Sequence, residues 1–311
     1  MKYEEVKVEK PIFIIGAPRS GTTLIADLIA FHEDLGWFSN YFAAHRKYPA
    51  VSILNRLVDI PKIGHLLRGK EVHRKRDKFK EKLPYPREAY SIWDLYTRPD
   101  FSKDYLMGQK PSGDEKRNIT GVIHKVLGYQ CKNRFFNKMT GPARIGYLSG
   151  LFPDACYVHI IRDPRAVVSS LLKVNFWVRN GGLDAPWWQN GLREEYLNVW
   201  KDSGRNPAVL AAVQWRQIIE NARHETGFGT HERKKYIEIK YETFLEDPEN
   251  TINEILKFCG LTKSNKVYEN LKKRVRIKNM NYKFHDNLSH EDIDAVESVT
   301  RFVSKKLGYQ F

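Results

Sequence analysis

Residues 16–23 combine two glycines with hydroxyl and cationic side chains in a pattern suited to binding phosphate. They read Gly-Ala-Pro-Arg-Ser-Gly-Thr-Thr, so Gly16 and Gly21 have the G-x-x-x-x-G spacing directly after a short apolar segment. Glycines let backbone N–H groups curl around an anion, and a following helix adds the partial positive charge of its N-terminus. A nucleotide triphosphatase needs a lysine where Thr22 stands, to bridge the β- and γ-phosphates, whereas the cation here is Arg19. The candidate phosphate ligands are Arg19, Ser20, Gly21, Thr22 and Thr23.

A second candidate anion site follows another apolar segment. Residues 157–161 are Tyr-Val-His-Ile-Ile, and Arg162 comes directly after them. An arginine at the end of a strand can meet a phosphate through two parallel hydrogen bonds. Ser170 lies eight residues further on, about two helical turns along the segment 166–174, and can add a hydroxyl. The alternative role for Arg162 is a structural ion pair with Asp163.

These candidate residues require strands that end next to one another. Residues 12–15, 157–161 and 236–239 are apolar strand candidates, and each is followed by a helical pattern. Strand–loop–helix units predict an α/β fold with a mainly parallel central sheet flanked by helices, in a P-loop-like three-layer arrangement. We expect one domain spanning residues 1–311. The proline-containing segment 37–135 is predicted to be a helical insertion or lid within it.

The composition indicates a globular protein with anionic partners. The 311 residues include 52 Lys and Arg against 37 Asp and Glu, a formal charge of +15, and 41% are hydrophobic. The three cysteines lie far apart, which signals neither a zinc site nor a disulfide framework. No stretch has the roughly 18 apolar residues of a membrane span, so we expect a soluble, cytoplasmic protein. The basic stretch 62–82 is either a solvated helix face or a surface for an anionic acceptor, and the denser stretch 272–278 is either solvated or in contact with a ligand.

Several segments resemble the sulfotransferase family. Residues 18–24 resemble its 5′-phosphosulfate loop and residues 162–170 its 3′-phosphate motif, and residues 241–248, 258–261 and 307–309 extend the match. The likeness is to the tyrosylprotein and broad bacterial branch rather than the cytosolic branch. It implies 3′-phosphoadenosine-5′-phosphosulfate (PAPS) as the sulfuryl donor, adenosine 3′,5′-bisphosphate as the product, and no metal.

The resemblance also assigns roles to individual residues. Arg162 and Ser170 would hold the 3′-phosphate, and Tyr241 would border the adenosine. Lys138 resembles the family's lysine that reaches the bridging oxygen, and Arg19 would stabilise the departing phosphate. Residues 277–284 resemble a loop that closes over the bisphosphate. The candidate donor contacts in that loop are Lys278, Asn281 and Lys283.

The sequence departs from the family pattern at the general base. The cytosolic branch has a histidine two residues beyond the lysine, but Thr140 stands there, and the glutamate of the tyrosylprotein branch has no counterpart in residues 36–40. A base that takes the proton of the acceptor hydroxyl still helps the reaction. We favour Glu88, because neighbouring prolines can hold it over the donor. The replacement candidates are Glu88, His45, His124 and Asp94.

The sequence thus predicts transfer of a sulfuryl group to a hydroxyl or amine of a carbohydrate, lipid or small-metabolite acceptor. The tryptophan-rich residues 175–188 can either stack on a glycan or aromatic acceptor or pack a long loop. The alternative function, a P-loop kinase or nucleotide hydrolase, is disfavoured by Thr22 in place of lysine. A nucleic-acid-binding protein is suggested only by the charge, without a recognition motif, so no nucleic acid partner is expected.

Overall fold

A five-stranded parallel sheet forms the centre of the protein. The computed structural model describes residues 8–67, 82–188, 192–229, 235–273 and 278–311. The strands are β1 Ile12–Gly16, β2 Leu35–Trp37, β3 Arg134–Thr140, β4 Cys156–Ile161 and β5 Tyr236–Lys240. Their order is β2-β3-β1-β4-β5, and each neighbouring pair is parallel. All five strands therefore end at the same edge of the sheet.

Helices cover both faces of this sheet. They are α1 Thr22–Ile29, α2 Asn40–Ala44, α3 Pro61–Leu67, α4 Tyr90–Tyr96, α5 Gly113–Gln130, α6 Ile145–Leu151, α7 Pro164–Leu171, α8 Asn175–Arg179, α9 Glu194–Asp202, α10 Pro207–Thr226, α11 Tyr241–Glu246, α12 Pro248–Cys259, α13 Asn265–Lys273, α14 Phe284–Asn287 and α15 His290–Lys306. The described residues also include the 3-10 helices Pro49–Asp59 and Asn281–Lys283. No helix among the described residues is long and apolar enough to cross a membrane.

The side chains of β1 explain the three layers. Ile12 and Ile14 are buried in a core that includes residues of α1, α12 and α13. Phe13 and Ile15 are buried in a second core with residues of α4, α5 and α6. Successive side chains of a strand point to opposite faces, so a continuous apolar strand is buried on both sides. The predicted α/β fold, with helices on both faces of a parallel sheet, is confirmed.

The start of α7 is capped by Asp163, the residue that follows Arg162. Asp163 caps the helix by accepting a hydrogen bond from the backbone N–H of Arg165 at 2.9 Å, and Pro164 occupies the first helical position. The carboxylate of Asp163 also pairs with the guanidinium of Arg165 at 2.7 Å. The structural ion pair considered for Arg162 is therefore made by Arg165 instead. Arg162 remains at the end of β4, and its carbonyl accepts from Trp215 Nε1 on α10 at 3.2 Å.

Two strands are not predicted from the sequence. β2 has only three residues, and Asn137 and Lys138 interrupt the apolar pattern of β3. The segment predicted as an insertion, 37–135, contains the last residue of β2 and the first two of β3 in addition to helices. That the segment 37–135 acts as a lid, and that residues 1–311 form a single domain, both stay predictions. Much of the basic stretch 62–82 and residues 274–277 of the second stretch lie outside the described residues.

Candidate active site

The loop between β1 and α1 has the backbone of a phosphate-binding loop. Arg19 and Gly21 both have positive φ angles, 72° and 88°, which turn the chain back toward the start of α1. The N–H groups of Thr22 and Thr23 belong to the first turn of that helix, where the helix itself supplies no acceptor. Ser20 is fully buried, and its N–H closes the turn on the carbonyl of Ala17 at 3.2 Å. The loop therefore directs N–H groups and the arginine toward one edge of the sheet.

The two anion motifs predicted from the sequence meet at this edge. Arg19 Nε donates a hydrogen bond to Ser170 Oγ at 2.8 Å, although the two residues are 151 positions apart. Arg162 Nη1 donates to the carbonyl oxygen of Arg19 at 2.9 Å. The contact arises because β1 and β4 are neighbours and end side by side. Ligands of open α/β sheets bind at this carboxyl edge, so both motifs can serve one ligand.

Asn281 and Glu242 complete the surroundings of Arg162. Arg162 Nε donates to Asn281 Oδ1 at 2.8 Å, and Asn281 Nδ2 donates to Glu242 Oε1 at 2.6 Å. Tyr309 donates its hydroxyl hydrogen to Glu242 Oε2 at 2.9 Å. The ring of Tyr241 lies under the guanidinium, 4.8 Å from its Cζ. Burial lowers the pKa of Arg162 from its ordinary value. Sequence reasoning assigned no role to Glu242 or Tyr309.

Lys138 and Glu88 lie together beside the loop. Lys138 Nζ donates to Thr23 Oγ1 at 2.8 Å and lies 2.9 Å from Glu88 Oε1. Thr140 donates its hydroxyl hydrogen to the same carboxylate oxygen at 3.0 Å. Thr140 stands at the position expected for a histidine base, and here it supports a carboxylate that comes from a different part of the chain. Glu88 Oε2 makes no hydrogen bond to the described residues.

Asn137 holds the segment that carries Glu88. This buried asparagine of β3 donates through Nδ2 to the carbonyl oxygen of Arg87 at 3.1 Å and of Glu88 at 3.4 Å. Its Oδ1 accepts from Trp93 Nε1 at 3.0 Å. Asn137 and Lys138 are adjacent in a strand, so one faces the core and the other the site. Sequence reasoning missed Asn137; its signal is a polar residue next to the lysine, with Phe136 and Met139 on either side of the pair.

A cavity of about 830 Å³ opens between these groups. Its volume suits a small-molecule ligand. Side chains predicted for the donor, the base and the acceptor line its walls, namely Arg19, Thr23, Glu88, Lys138, Phe176, Trp187 and Trp188. The structure thus brings together the phosphate-binding loop, the lysine and the tryptophan-rich segment around one space.

The other base candidates do not line this cavity. His45 is exposed after α2, and His124 lies within α5. Asp94 Oδ1 accepts from the backbone N–H of Ser102 at 2.8 Å, and burial raises the pKa of Asp94. Lys278 and Lys283 are exposed, and their donor contacts stay predictions. Among the described residues, no group of three or more His, Cys, Asp or Glu side chains could hold a metal ion.

Comparison with known proteins finds relatives that are named as sulfotransferases. A model of the sulfotransferase family matches residues 11–265. The ω-hydroxy-β-dihydromenaquinone-9 sulfotransferase Stf3 of Mycobacterium bovis is 24% identical over 277 residues, which cover 83% of this chain and 64% of that protein. The chain thus spans 64% of the length of this curated relative. Carbohydrate sulfotransferase 1 of Danio rerio is 21% identical over 175 residues, 49% of this chain and 38% of that protein.

Solved structures show the same fold. Sulfotransferase STF9 from Mycobacterium avium superimposes with a TM-score of 0.57 at 16% identity, covering 100% of this chain and 80% of that one. The sulfotransferase domain from the curacin biosynthetic pathway has a TM-score of 0.50 at 15% identity, covering 98% of this chain and 99% of that one.

Proposed function

The chain belongs to the sulfotransferase family, and we propose that it transfers a sulfuryl group from PAPS to a hydroxyl acceptor and releases adenosine 3′,5′-bisphosphate. The observation that carries this proposal is the 2.8 Å hydrogen bond from Arg19 Nε to Ser170 Oγ. It joins two separate anion motifs at one edge of the sheet. A nucleotide with a 3′-phosphate as well as a 5′-phosphosulfate needs two such motifs within reach of one molecule.

The residues present fit this donor. Arg162 and Ser170 would hold the 3′-phosphate, and Tyr241 would border the adenosine beside Arg162. The N–H groups at the start of α1 and the guanidinium of Arg19 would hold the 5′ end, where the phosphosulfate supplies the transferable sulfuryl group. Lys278, Asn281 and Lys283 remain proposed donor contacts.

Positioned cations and a base would carry out the transfer. Negative charge gathers on the departing phosphate, and cations fixed beforehand stabilise it without reorganisation. Arg19 and Lys138 would supply these cations, so the scheme requires no metal. Glu88 would take the proton of the acceptor hydroxyl through Oε2, since Lys138 and Thr140 both contact Oε1. The aromatic wall of the cavity would orient the acceptor.

A lipid alcohol is the acceptor class that we propose. The name of the Stf3 relative specifies an ω-hydroxy dihydromenaquinone, a lipid with a hydroxyl group. The half-buried Trp187 and the exposed Phe176 line the cavity, and such rings suit an apolar acceptor body. A carbohydrate is the second acceptor class, favoured by the relative from Danio rerio.

Thermal unfolding with and without nucleotides tests the donor assignment. A ligand that binds only the folded protein raises its melting temperature. We expect adenosine 3′,5′-bisphosphate to raise it in the absence of Mg²⁺, and Arg162→Ala to reduce this rise strongly. Arg216→Ala is the matched control, because Arg216 is also partly buried but pairs with Glu220 on α10. A rise with ATP and Mg²⁺ alone would support the kinase or hydrolase alternative and overturn the proposal.

A further inference from the structure

Glu242 is a carboxylate next to residues that would bind a phosphate. It is the second residue of α11, and both of its oxygens accept hydrogen bonds. Oε1 accepts from the backbone N–H of Asp163 at 3.1 Å and from Asn281 Nδ2 at 2.6 Å, while Oε2 accepts from the hydroxyl of Tyr309 at 2.9 Å. A negative charge at this position repels a phosphate, so the carboxylate is better explained by the donors that it holds than by direct contact with the ligand. Of these three donors, Asn281 is the one whose side chain also contacts Arg162.

The carboxylate of Glu242 determines how the amide of Asn281 is turned. An ionised carboxylate only accepts hydrogen bonds, whereas an amide has a donor nitrogen and an acceptor oxygen. Asn281 must therefore present Nδ2 to Glu242, which leaves Oδ1 for Arg162 Nε at 2.8 Å. With the amide reversed, two donors would face each other at Arg162 and two acceptors at Glu242. Glu242 thus makes Asn281 an acceptor for the arginine.

Three contacts then fix the guanidinium of Arg162. Nε donates to Asn281, Nη1 donates to the carbonyl oxygen of Arg19 at 2.9 Å, and the ring of Tyr241 lies 4.8 Å from Cζ. Nη2 makes no hydrogen bond to any residue that the structure describes. A planar group held on two edges and one face presents its remaining N–H groups in one direction. This free end is suited to an anionic oxygen.

We propose that Glu242 is a positioning residue for recognition of the donor's 3′-phosphate, acting through Asn281 on Arg162. The inference rests on the proposed function, and it adds the group that aims the arginine. It also makes the site specific for 3′-phosphorylated nucleotides, because a misaligned guanidinium loses its hydrogen bonds to that phosphate alone. A purely structural role, as an anchor for Tyr309 and for the start of α7, would affect every nucleotide equally.

Calorimetric titration with two nucleotides separates these roles. Adenosine 3′,5′-bisphosphate carries the 3′-phosphate, and adenosine 5′-monophosphate lacks it. We expect Glu242→Ala to weaken binding of the bisphosphate at least about tenfold, the size of a lost charge-assisted hydrogen bond, and binding of the monophosphate less than about twofold. Glu242→Gln keeps an oxygen that can accept from Asn281, so it should recover most of the affinity. Glu246→Ala removes an exposed carboxylate at the end of the same helix and should resemble the wild type.

A double-mutant cycle with Arg162→Ala supplies the decisive comparison. If Glu242 acts through the arginine, Glu242→Ala has no further effect on bisphosphate binding once Arg162 is removed. Additive losses, or equal losses for both nucleotides, would overturn the inference. If Glu242→Ala does not fold, Asn281→Ala takes its place in the cycle, since Asn281 is only partly buried and its loss breaks the same contact. A wild type that binds both nucleotides equally would instead contradict the donor assignment in the proposed function.

Discussion

Glu88 Oε1 lies 2.9 Å from Lys138 Nζ, so the proposed base and the proposed cation for the departing oxygen form an ion pair inside the cavity. The two residues come from a loop before α4 and from the strand β3. The carboxylate therefore reaches the cavity from the segment between β2 and β3, and not from either of the positions expected by family spacing. Thr140 and Asn137 hold it there through side-chain and backbone contacts.

We predict that Glu88→Gln lowers the turnover number at least about tenfold, because a glutamine cannot take the proton of the acceptor hydroxyl. The melting-temperature rise with adenosine 3′,5′-bisphosphate should stay the same, since Glu88 does not belong to the donor motifs. Transfer of labelled sulfate measures the first effect and thermal unfolding the second. His45→Ala and Asp94→Asn are controls that should change turnover less than about twofold. Undiminished turnover in Glu88→Gln would show that the base lies elsewhere.

Removal of the cation should have a larger effect on turnover. We predict that Lys138→Ala lowers the turnover number by about a hundredfold or more, the size expected when one fixed group that stabilises developing charge is lost. Lys132→Ala is a matched control, because Lys132 is also a mostly buried lysine paired with a carboxylate, Asp59, at 2.9 Å. It precedes β3, at the opposite end of that strand from Thr140. The control should lose stability without losing turnover, and an equal loss in both variants would argue against a catalytic role for Lys138.

Position 21 requires a glycine for two reasons, its backbone angle and the close approach of Tyr241. The φ of Gly21 is +88°, and a Cβ at this position would lie 2.3 Å from Cδ2 of Tyr241. Gly204 has a similar φ of +69°, but a Cβ there would meet no atom within 4 Å, so Gly204→Ala isolates the backbone effect, about 1 kcal/mol of unfolding free energy. We predict that Gly21→Ala loses more than this and also weakens bisphosphate binding, because Tyr241 must move. Urea unfolding and calorimetry measure the two effects. Equal behaviour of both variants would contradict the close packing of Tyr241 on the loop.

The proposed donor half of the candidate site follows from the sequence because each motif is local. A glycine loop after a strand, and an arginine before a capped helix, can be read from consecutive residues, and a parallel sheet then brings their ends together. The base side depends on contacts between distant segments. The sequence favours Glu88 only for its neighbouring prolines, and nothing in it places that carboxylate against Lys138, because β3 itself is not predicted. The roles of Asn137 and Glu242 likewise depend on which way an amide faces, and only the assembled structure contains that information.

The aromatic wall should affect the acceptor and not the donor. Trp187 stacks on Trp177 with ring centroids 5.3 Å apart, and Phe176 meets Trp187 edge to face at 6.0 Å. We predict that Trp187→Ala raises KM for a prenyl alcohol at least about fivefold, because the apolar body of the acceptor loses its contact surface. Bisphosphate binding should not change. Phe302→Ala, which removes an exposed aromatic residue on α15, is the control. An unchanged KM would contradict the proposed acceptor site.

His159 should make stability depend on pH. It is fully buried in β4, where Nδ1 shares a hydrogen bond with the hydroxyl of Tyr236 at 2.7 Å, and burial lowers its pKa from 6.5 to about 4. As the pH falls through this interval, the unfolded chain binds a proton that the folded protein does not, so stability falls. The full contribution is about 3 kcal/mol of unfolding free energy.

We therefore expect the free energy of unfolding, measured with urea, to fall between about pH 7 and about pH 4 in the wild type. In His159→Gln this fall should be smaller by about 3 kcal/mol. The other titrating groups are common to both proteins and cancel in the comparison. His45→Gln, at an exposed position, should follow the wild type, and parallel curves for His159→Gln and the wild type would show that burial of His159 does not govern this pH dependence.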